Sequence, residues 1–454
     1  MKNRTERTIA AVATPAGQGG ISIIRMSGED AERILDEIFY PAAGKTAFPL
    51  PSRMLTYGYL TDDNGDRLDE CMAVIMRAPA SYTREDVVEF QLHGGLYLTR
   101  TALQLCLAHG AVPAAPGEFT RRAFLNGRID LSQAEAVMNL IAARGEQEQR
   151  AAMKMLRGGA SGFIRQAADR LYQLQAGVAA CMDYPDEISD AEGTEQLRSG
   201  LLQLIEFLES AVDEKSSRLV SDGMHVVFFG TPNVGKSSIL NALLGEEKAI
   251  VTDIPGTTRD PVEGEIFLNG VRICFTDTAG MRTAGDAVEK IGILRSENAL
   301  QNADLSVLVM DGAAEMSAED INLLQRDDFQ GIVLINKSDL GERLTPEKIH
   351  SVRPELTCMT VSARIPETLE PFKKRIAELA ETSDNIVLSQ PRHILSVKRA
   401  IGHLKDALRT LEDYTPDMAS VDLQQAQAAL GEITGDNVSE RLLDTVFSSF
   451  CVGK

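Results

Sequence analysis

The sequence predicts a multidomain protein in which two α/β domains are combined with a discontinuous bundle of helices. At 454 residues the chain is long enough for two to four domains, each with a core of its own. Apolar strand-like stretches alternate with helical ones near the start of the chain and again in its middle, which is typical of α/β folds. We expect an N-terminal α/β domain over residues 1–120, a helical domain divided between 121–218 and 382–454, and an α/β domain inserted over 219–381.

In the N-terminal part, apolar stretches at 21–26, 71–77 and 87–92 predict strands, and leucines near helical spacing predict a helix over 95–109. A glycine-rich turn at 14–20 precedes the first of these strands. Because this turn lacks the G-x-G-x-x-G register, it does not predict a dinucleotide site.

The helical parts are predicted from apolar stripes. Residues 132–135, Ser-Gln-Ala-Glu, have the form of a capping box at a helix start. Helices on both sides of an α/β module form either one domain whose halves pack together or two separate domains. The first is favoured, because a short helical tail could not bury so much apolar surface alone. The stripes consist of Ile164, Ala168, Leu171, Leu174, Val178 and Cys181; of Leu201, Leu204, Ile205 and Leu208; of Val397, Ile401, Leu404, Leu408 and Leu411; and of Leu442, Val446 and Phe450.

The most informative stretch is G-T-P-N-V-G-K-S at 230–237, which matches the phosphate-binding pattern G-x-x-x-x-G-K-[ST]. A strand-like run at 224–229 precedes it and a helical stretch at 238–244 follows it. In this context the backbone N–H groups and the helix N-terminus surround phosphates, Lys236 lies against the outer phosphates, and the Ser237 hydroxyl ligates magnesium.

Three further motifs follow apolar strands in the order that a guanine-nucleotide domain requires. The first is D-T-A-G at 277–280, whose aspartate can hold magnesium through water. The second is N-K-S-D at 336–339, where the Asp339 carboxylate can accept two hydrogen bonds from guanine but not from adenine. The third, Ser362-Ala363, is a small-residue loop that supports the base. Together the four motifs predict a GTP-binding domain.

Charge and cysteine usage exclude several alternatives. The net charge of −20 argues against a free-standing nucleic-acid-binding protein, and two basic spots, at 121–122 and 373–375, are interpreted as solvated surface. The six cysteines contain no C-x-x-C pair, which favours reduced thiols. There is no apolar run of membrane-spanning length, and residues 1–8 are too polar for a signal peptide, so we expect a cytoplasmic protein without membrane contact.

The hydrolytic chemistry needs residues beyond these motifs. Many small GTPases carry a water-positioning glutamine directly after D-x-x-G, but here that position is Met281. Glu289, on a predicted helix after the loop 281–286, is the best candidate to replace it. In the loop 252–260, Thr258 is expected to complete the magnesium shell. The remaining neutral oxygens of this loop, with Asn233, suit a monovalent cation that acts where other enzymes use an arginine.

The assembled residues resemble the tRNA modification GTPase MnmE (TrmE) family over essentially the whole chain. The C-terminal C-x-G-K tetrapeptide together with the N-terminal motifs is specific to that family, although Val452 stands where the family usually has isoleucine. The stretches that carry the resemblance are A-T-P at 13–15, G-G at 19–20, S-Y-T-R-E-D at 81–86, H-G-G at 93–95, P-G-E-F at 116–119, A-F-L-N-G-R at 123–128, D-I-P-G-T-T-R-D at 253–260 and F-C-V-G-K at 450–454.

This resemblance implies an N-terminal domain that binds tetrahydrofolate and forms a homodimer, a split helical domain and an inserted G domain. It implies potassium-dependent GTP hydrolysis coupled to G-domain dimerisation. It also implies an FAD-dependent partner of the GidA or MnmG family, with which a (carboxymethyl)aminomethyl group is added to carbon 5 of the tRNA wobble uridine. The tRNA is expected to bind mainly through the partner, and the implied folate is 5-formyl-tetrahydrofolate or another tetrahydrofolate derivative.

The motifs and the resemblance together assign residues to each role. Glu289 and Cys451 are the expected catalytic residues, although burial is the commoner role for a cysteine. Magnesium is assigned to Ser237 and Thr258, potassium to Asn233, Thr252, Ile254 and Thr257, and folate to Arg25, Glu85, Arg128 and Lys454. The expected GTP contacts are Asn233, Val234, Gly235, Lys236, Ser237, Ser238, Thr252, Asp253, Ile254, Pro255, Gly256, Thr257, Thr258, Asp277, Thr278, Ala279, Gly280, Asn336, Lys337, Asp339, Ser362 and Ala363.

Two other interpretations stay open at this point. The chain could be a regulatory or ribosome-assembly GTPase that performs no chemistry, although the basic RNA-binding tail of such proteins is missing after residue 380. Alternatively, the N-terminal domain could serve only for dimerisation and bind no cofactor.

Overall fold

The computed structural model describes residues 7–183, 190–246, 264–277, 297, 299–382, 387–413 and 418–454. The chain forms two compact units, each discontinuous in sequence. Unit 1 consists of Met1–Ile141, Lys154–Ile205 and Lys398–Lys454, and unit 2 consists of Ala142–Met153 and Glu206–Val397.

Unit 1 begins with a seven-stranded sheet in the order β3-β4-β5-β6-β2-β1-β7, antiparallel except for the β1–β7 pair. The strands predicted at 21–26, 71–77 and 87–92 and the helix at 95–109 are confirmed. The second strand begins four residues earlier than predicted, because polar residues of its first half also pair with β4. The elements are β1 Ile9–Val12, β2 Ile21–Ser27, α1 Ala31–Ile38, β3 Phe39–Pro41, β4 Thr56–Thr61, β5 Arg67–Met76, β6 Val87–His93, α2 Leu96–Ala108, β7 Val112–Pro113 and α3 Glu118–Leu125.

The two faces of this sheet are covered by different helices. On one face, α1 and α2 enclose an apolar core in which the rings of Phe39 and Phe90 lie 6.2 Å apart. On the other face, Phe119 of α3 packs against Ile9 and Ala11 of β1. Because successive strand residues alternate between the faces, β1 supplies side chains to both cores: Ala10 to the first, and Ile9 and Ala11 to the second.

Seven helices that follow in sequence order are α4 Leu131–Ala142, α5 Glu146–Leu156, α6 Gly159–Asp183, α7 Asp190–Glu209 and, after the inserted α/β module, α13 Pro391–Asp413, α14 Ala419–Thr434 and α15 Glu440–Ser448. Within unit 1, α14 packs against α6. Phe447 and Phe450, at the end of the chain, pack with Leu131 and Ala134 of α4. Helices from the two sides of the inserted module therefore share a core.

Two details of the predicted helices are wrong. The capping box uses Asp130 and Gln133, not Ser132 and Glu135: the Gln133 N–H donates to Asp130 Oδ1 at 3.0 Å, and the Asp130 N–H donates to Gln133 Oε1 at 3.0 Å. Ser132 is instead buried, and its hydroxyl contacts Asp130 and Ser161. The carboxylate of Asp130 caps the helix because it accepts hydrogen bonds from the Gln133 N–H and from the Ser132 hydroxyl.

The last apolar stripe is correct at Phe450, which is buried, but it is displaced by one residue at its other two positions. Leu443 and Phe447 are buried, whereas Leu442 and Val446 are only half-buried. Both sets have helical spacing, so the residue pattern alone could not distinguish between them.

Unit 2 contains a six-stranded sheet in the order β13-β12-β11-β8-β10-β9, in which every pair is parallel except β9–β10. The four central strands, β8, β10, β11 and β12, consist mainly of buried apolar residues, as expected for parallel strands covered on both faces. The elements are α8 Glu214–Ser221, β8 Met224–Phe229, α9 Lys236–Glu246, β9 Gly264–Leu268, β10 Val271–Asp277, β11 Leu305–Asp311, α10 Ala318–Leu324, β12 Ile332–Asn336, α11 Pro346–His350, β13 Thr357–Thr360 and α12 Glu370–Leu379.

Among the described residues, no helix has both the length and the apolar character to cross a bilayer. The cysteines with described side chains, Cys71, Cys106, Cys274, Cys358 and Cys451, are free thiols. Burial raises the pKa of the Cys106 thiol to about 12. A thiol with so high a pKa is almost entirely protonated at neutral pH, so Cys106 is chemically inert.

One ionisable contact in unit 1 predicts a pH-dependent stability. His109 Nδ1 lies 2.7 Å from Glu37 Oε2, and its Nε2 lies 2.9 Å from Asp63 Oδ1. Partial burial lowers the pKa of His109, but its hydrogen bonds to the two carboxylates outweigh this effect, and the pKa is raised above its ordinary value of 6.5. The contact therefore stabilises the fold below the unfolded-state pKa, and its contribution is lost as the pH rises through the folded-state pKa.

We predict that His109→Asn lowers the midpoint of thermal unfolding by about 1–3 °C near pH 6 and by less near pH 9. Circular dichroism melting curves at the two pH values would measure this difference. His93→Asn is the exposed comparison: a hydrogen bond to Asp69 also raises the pKa of His93, but its imidazole is 73% exposed, so the shift for this variant should be smaller. An equal shift for His109→Asn at both pH values would contradict the prediction.

Candidate functional site

The phosphate-binding loop joins β8 to the N-terminus of α9, as the sequence predicts. Two of its glycines have no room for a side chain. A Cβ on Gly230, whose φ is 143°, would lie 2.3 Å from the Val309 carbonyl oxygen. A Cβ on Gly235, whose φ is 97°, would lie 2.2 Å from the Asn336 Nδ2 atom. The loop is therefore a backbone cradle that only glycine permits at these positions.

The charged group of the cradle is Lys236, the first residue of α9. Its side chain turns back over the loop, and Nζ donates to the carbonyl oxygens of Gly230 at 3.0 Å and Thr231 at 2.9 Å. The residue is only 5% exposed. Its ammonium is thus fixed at the loop beside the helix N-terminus. A phosphate oxygen bound there would be stabilised by both the ammonium charge and the positive end of the helix dipole. Of the neighbouring predicted contacts, Val234 is buried in the core and Ser238 is exposed.

A hydroxyl and a buried carboxylate lie together beside this cradle. The Ser237 hydroxyl donates to Asp277 Oδ2 at 2.7 Å, and Asp277, the last residue of β10, is fully buried. Oxygen ligands of these two kinds are those that Mg²⁺ prefers in nucleotide sites. The structure therefore brings together Ser237 and Asp277, which the sequence predicted for magnesium at separate motifs.

The predicted base-binding residues gather at the ends of β12 and β13. The Asn336 side chain donates to the Val234 carbonyl oxygen at 2.9 Å and accepts from the Ala363 N–H at 3.1 Å. The Ser362 hydroxyl donates to Asp339 Oδ1 at 2.7 Å, which orients that carboxylate. Oriented in this way, Asp339 is a hydrogen-bond acceptor of the kind that the guanine edge requires.

Sequence reasoning missed Asp311, the last residue of β11. Lys337, in the left-handed conformation with φ 64°, donates from Nζ to Asp311 Oδ2 at 2.6 Å and to the Asn233 carbonyl oxygen at 2.8 Å. Asp311 thus fixes the lysine that bridges the phosphate loop and the base-binding motif. The available signal was a carboxylate directly after the apolar run of β11, the same position that Asp277 occupies on β10.

Several predicted residues lie outside the described residues. They are Thr252, Asp253, Ile254, Pro255, Gly256, Thr257, Thr258, Thr278, Ala279, Gly280 and Glu289. Of the predicted potassium ligands, Asn233 alone is among the described residues; it is exposed and has a φ of 64°.

In unit 1, two of the predicted folate residues meet at the C-terminal segment. Arg25 of β2 donates from Nη1 to the Gly453 carbonyl oxygen at 3.1 Å and from Nε to Glu89 Oε1 at 2.7 Å. A Cβ on Gly453 would lie 2.3 Å from the Val12 carbonyl oxygen, so the segment is closely applied to β1. Burial, and then the nearby positive charge of Arg25, lower the pKa of Lys454. Two adjacent cations suit an anionic ligand.

The other two predicted folate residues are on neighbouring loops of the same unit. Glu85 Oε2 accepts hydrogen bonds from Ser27 and Arg122. Arg128 is exposed, its guanidinium lies 4.7 Å from the centre of the Tyr82 ring, and Nη1 donates to the Tyr82 carbonyl oxygen. Cys451 is exposed, not buried, and its carbonyl oxygen accepts from the Lys454 N–H at 3.3 Å. These residues thus provide a hydrogen-bond acceptor, cations and a thiol. Such a set fits a ligand that has N–H donors along one edge and an anionic tail.

The interpretation of the two basic spots as solvated surface is wrong for one residue in each. Arg122 is only 3% exposed and Lys373 only 8%. Arg122 forms ion pairs with Glu85 and Glu118, and Lys373 forms one with Glu370 of the same helix. Glu118 and Glu370 are i,i+4 and i,i+3 partners on the same helices, but the burial of a helix face depends on tertiary packing, such as that of the loop carrying Glu85, which the sequence does not specify.

In unit 2, the phosphate cradle, the Ser237–Asp277 pair and the Asn336–Asp339 motif all lie at the carboxyl ends of parallel strands, where open α/β sheets bind nucleotides. This combination defines a P-loop guanine-nucleotide-binding domain. Comparison with known proteins goes further. The family model described as the MnmE helical domain matches residues 131–451, and the model described as GTP-binding protein TrmE N-terminus matches residues 8–128.

The chain therefore belongs to the MnmE family of tRNA modification GTPases, as the sequence resemblance predicted. It is 41% identical to the tRNA modification GTPase MnmE of Bacillus velezensis, over 98% of this chain and 100% of that protein. The MnmE proteins of Bacillus subtilis and Symbiobacterium thermophilum are each 40% identical, over 98% and 99% of this chain and 100% of each protein.

We predict that Gly235→Ala weakens binding of GTP by about 10-fold or more, because the added methyl must displace the Asn336 amide at a backbone conformation that alanine disfavours. Titration with a fluorescent GTP analogue would measure the affinity. Gly245→Ala in α9, the helix that follows Gly235, is the control, since a Cβ there meets no atom within 4 Å. Equal affinities of both variants would contradict the proposed position of the phosphates.

Proposed function

We propose that the protein is a GTPase whose nucleotide cycle drives modification of the tRNA wobble uridine. The observation that carries the GTPase part is the position of the phosphate cradle, the Ser237–Asp277 pair and the Asp339 carboxylate at one edge of the unit 2 sheet. Lys236 and the backbone N–H groups stabilise charge that develops on the phosphates during hydrolysis. Asp339 selects guanine.

Magnesium and potassium are the proposed metal cofactors. Ser237 and Asp277 would hold magnesium, with Thr258 as a further ligand. Asn233, Thr252, Ile254 and Thr257 would hold potassium, which would supply positive charge during hydrolysis. The family resemblance implies that G-domain dimerisation accompanies this step. Glu289 orients the attacking water, a role that the thioether of Met281 cannot perform.

The tRNA-directed activity is proposed from family membership. With an FAD-dependent partner of the GidA or MnmG family, the protein adds a (carboxymethyl)aminomethyl group to carbon 5 of the wobble uridine. A net charge of −20 disfavours direct contact with a phosphate backbone, so the tRNA binds mainly through the partner. The proposed location is the cytoplasm, and the proposed assembly is a homodimer through the N-terminal domain.

Tetrahydrofolate is the proposed one-carbon ligand of unit 1. The carboxylate of Glu85 accepts from the donor edge of the pterin, and the cations of Arg25, Arg128 and Lys454 serve the glutamate tail. Burial, and secondly the charge of Arg25, lower the pKa of Lys454, so the charged form of this amine would be stabilised by an anion bound beside it. When bound, the folate supplies the one-carbon unit, and Cys451 is an exposed nucleophile on the same segment as Lys454.

We predict that potassium accelerates GTP turnover by about 10-fold or more over sodium at equal ionic strength, because a weakly hydrated cation fits a ring of neutral oxygens. Phosphate-release assays in the two salts would measure this ratio. Asn233→Gly tests the assignment, since glycine accepts the φ of 64° while the side-chain oxygen is lost. Equal slow rates of the wild-type protein in both salts would favour a switch GTPase without a cation site.

We further predict that Glu289→Ala abolishes turnover and changes GTP affinity by less than about twofold, because water positioning contributes to the transition state and not to ground-state binding. The variant should also fail to restore wobble-uridine modification in a deletion strain, measured by mass spectrometry of tRNA nucleosides. If the deletion strain itself retained normal modification, the proposed tRNA function would be wrong. A collapse of GTP affinity in the variant would assign Glu289 a structural role.

A further inference from the structure

Arg122 of α3 is a buried cation whose contacts converge on one of the proposed folate residues. It is 3% exposed. Nη1 donates to Glu85 Oε2 at 2.9 Å, and Nη2 donates to Glu118 Oε1 at 3.1 Å. The same guanidinium donates to the carbonyl oxygens of Ser27 and Arg7. A planar guanidinium with several donors in fixed directions can hold these groups in one relative position, which a flexible ammonium cannot.

The two oxygens of Glu85 have different surroundings. Oε2 accepts from Arg122 and also from the Ser27 hydroxyl, at 2.7 Å. Ser27 is itself fully buried and contacts Thr83 Oγ1 at 2.7 Å. Oε1 accepts no hydrogen bond from any residue that the structure describes, although the Glu85 side chain is 22% exposed. One oxygen is therefore anchored and the other is available to a ligand.

The loop that carries Glu85 is held independently of Arg122. Arg84 adopts the left-handed conformation, with φ 62°, and its Nη1 donates to the Asn126 carbonyl oxygen at 3.0 Å. The Asn126 amide donates to the Thr83 carbonyl oxygen at 2.7 Å. A non-glycine residue in this conformation costs free energy, and it persists where surrounding contacts fix the loop. The backbone position of Glu85 is thus determined by Asn126, and the direction of its carboxylate by Ser27 and Arg122.

We propose that Arg122 is a positioning residue for ligand recognition: it anchors Oε2 of Glu85 so that Oε1 faces the N–H donors of a bound pterin. This inference rests on the proposed folate site. It assigns to Arg122 a role in affinity that is separate from its contribution to folding. Without this anchor the carboxylate samples other rotamers. Fixing it in one rotamer when the ligand binds then costs conformational entropy, which lowers the affinity.

The test is calorimetric titration of the full-length protein with 5-formyl-tetrahydrofolate. We expect Arg122→Met to weaken binding by about 10- to 100-fold, as for loss of a charge-assisted hydrogen bond, and Arg122→Lys to recover part of the loss. Glu85→Gln should weaken binding similarly. The double variant should bind at most about twofold more weakly than whichever single variant binds more weakly. Additive losses, or an unchanged affinity of Arg122→Met, would overturn the inference.

Two controls separate folding from positioning. Arg121→Met removes the neighbouring cation, which pairs with Asp444 and not with Glu85, and should leave the affinity within about twofold. Ser27→Ala removes the other donor to Oε2 while the buried ion pairs remain, and should weaken binding about 3- to 10-fold even if Arg122→Met does not fold. An unchanged affinity of Ser27→Ala would count against anchoring of Oε2. No binding to the wild-type protein would overturn the folate proposal itself, whereas normal binding with unaffected variants would overturn only the role of Arg122.

Discussion

The side-chain amide of Asn336 ties together three segments that are distant in sequence, and the geometry of the nucleotide site depends on it. Its Nδ2 donates to the phosphate loop at Val234, and its Oδ1 accepts from Ala363 in the base-supporting loop. Asn336 is 2% exposed, so loss of either bond would leave a buried polar group without compensation. The phosphate loop and the predicted base-binding segments are therefore held together by this buried amide and by Lys337, which contacts the Asn233 carbonyl oxygen.

This arrangement explains why the sequence predicted so much of unit 2. Parallel strands end at the same edge of their sheet, so motifs that follow apolar runs must converge there, whatever the length of chain between them. Asp277 and Asn336 were placed by this rule and are found at the ends of β10 and β12. The glycines of the phosphate loop could also be predicted, because the loop requires backbone conformations and close approaches that leave no room for a Cβ.

What could not be predicted depends on long-range packing. Arg121 and Arg122 are adjacent and chemically identical, yet only Arg122 is buried, because the helix turns it towards Glu85 and Glu118. The capping box was misplaced for a related reason: Asp130 and Ser132 are both good capping residues, and burial of Ser132 against Ser161 decides between them. Asp311 was overlooked because its importance lies in a contact with Lys337, which is 26 residues away in sequence.

Three of the proposed ligand-contacting carboxylates are oriented in the same way, by a serine hydroxyl at 2.7 Å: Asp277 by Ser237, Asp339 by Ser362 and Glu85 by Ser27. A hydroxyl fixes a carboxylate without neutralising its charge, so the carboxylate remains a strong acceptor for a metal or an N–H donor. Glutamate has one more rotatable bond than aspartate, and more conformational entropy is lost when it is held in one rotamer. Glu85 has a second anchor in the buried guanidinium of Arg122, and the extra rotatable bond of glutamate is a physical reason for placing it there.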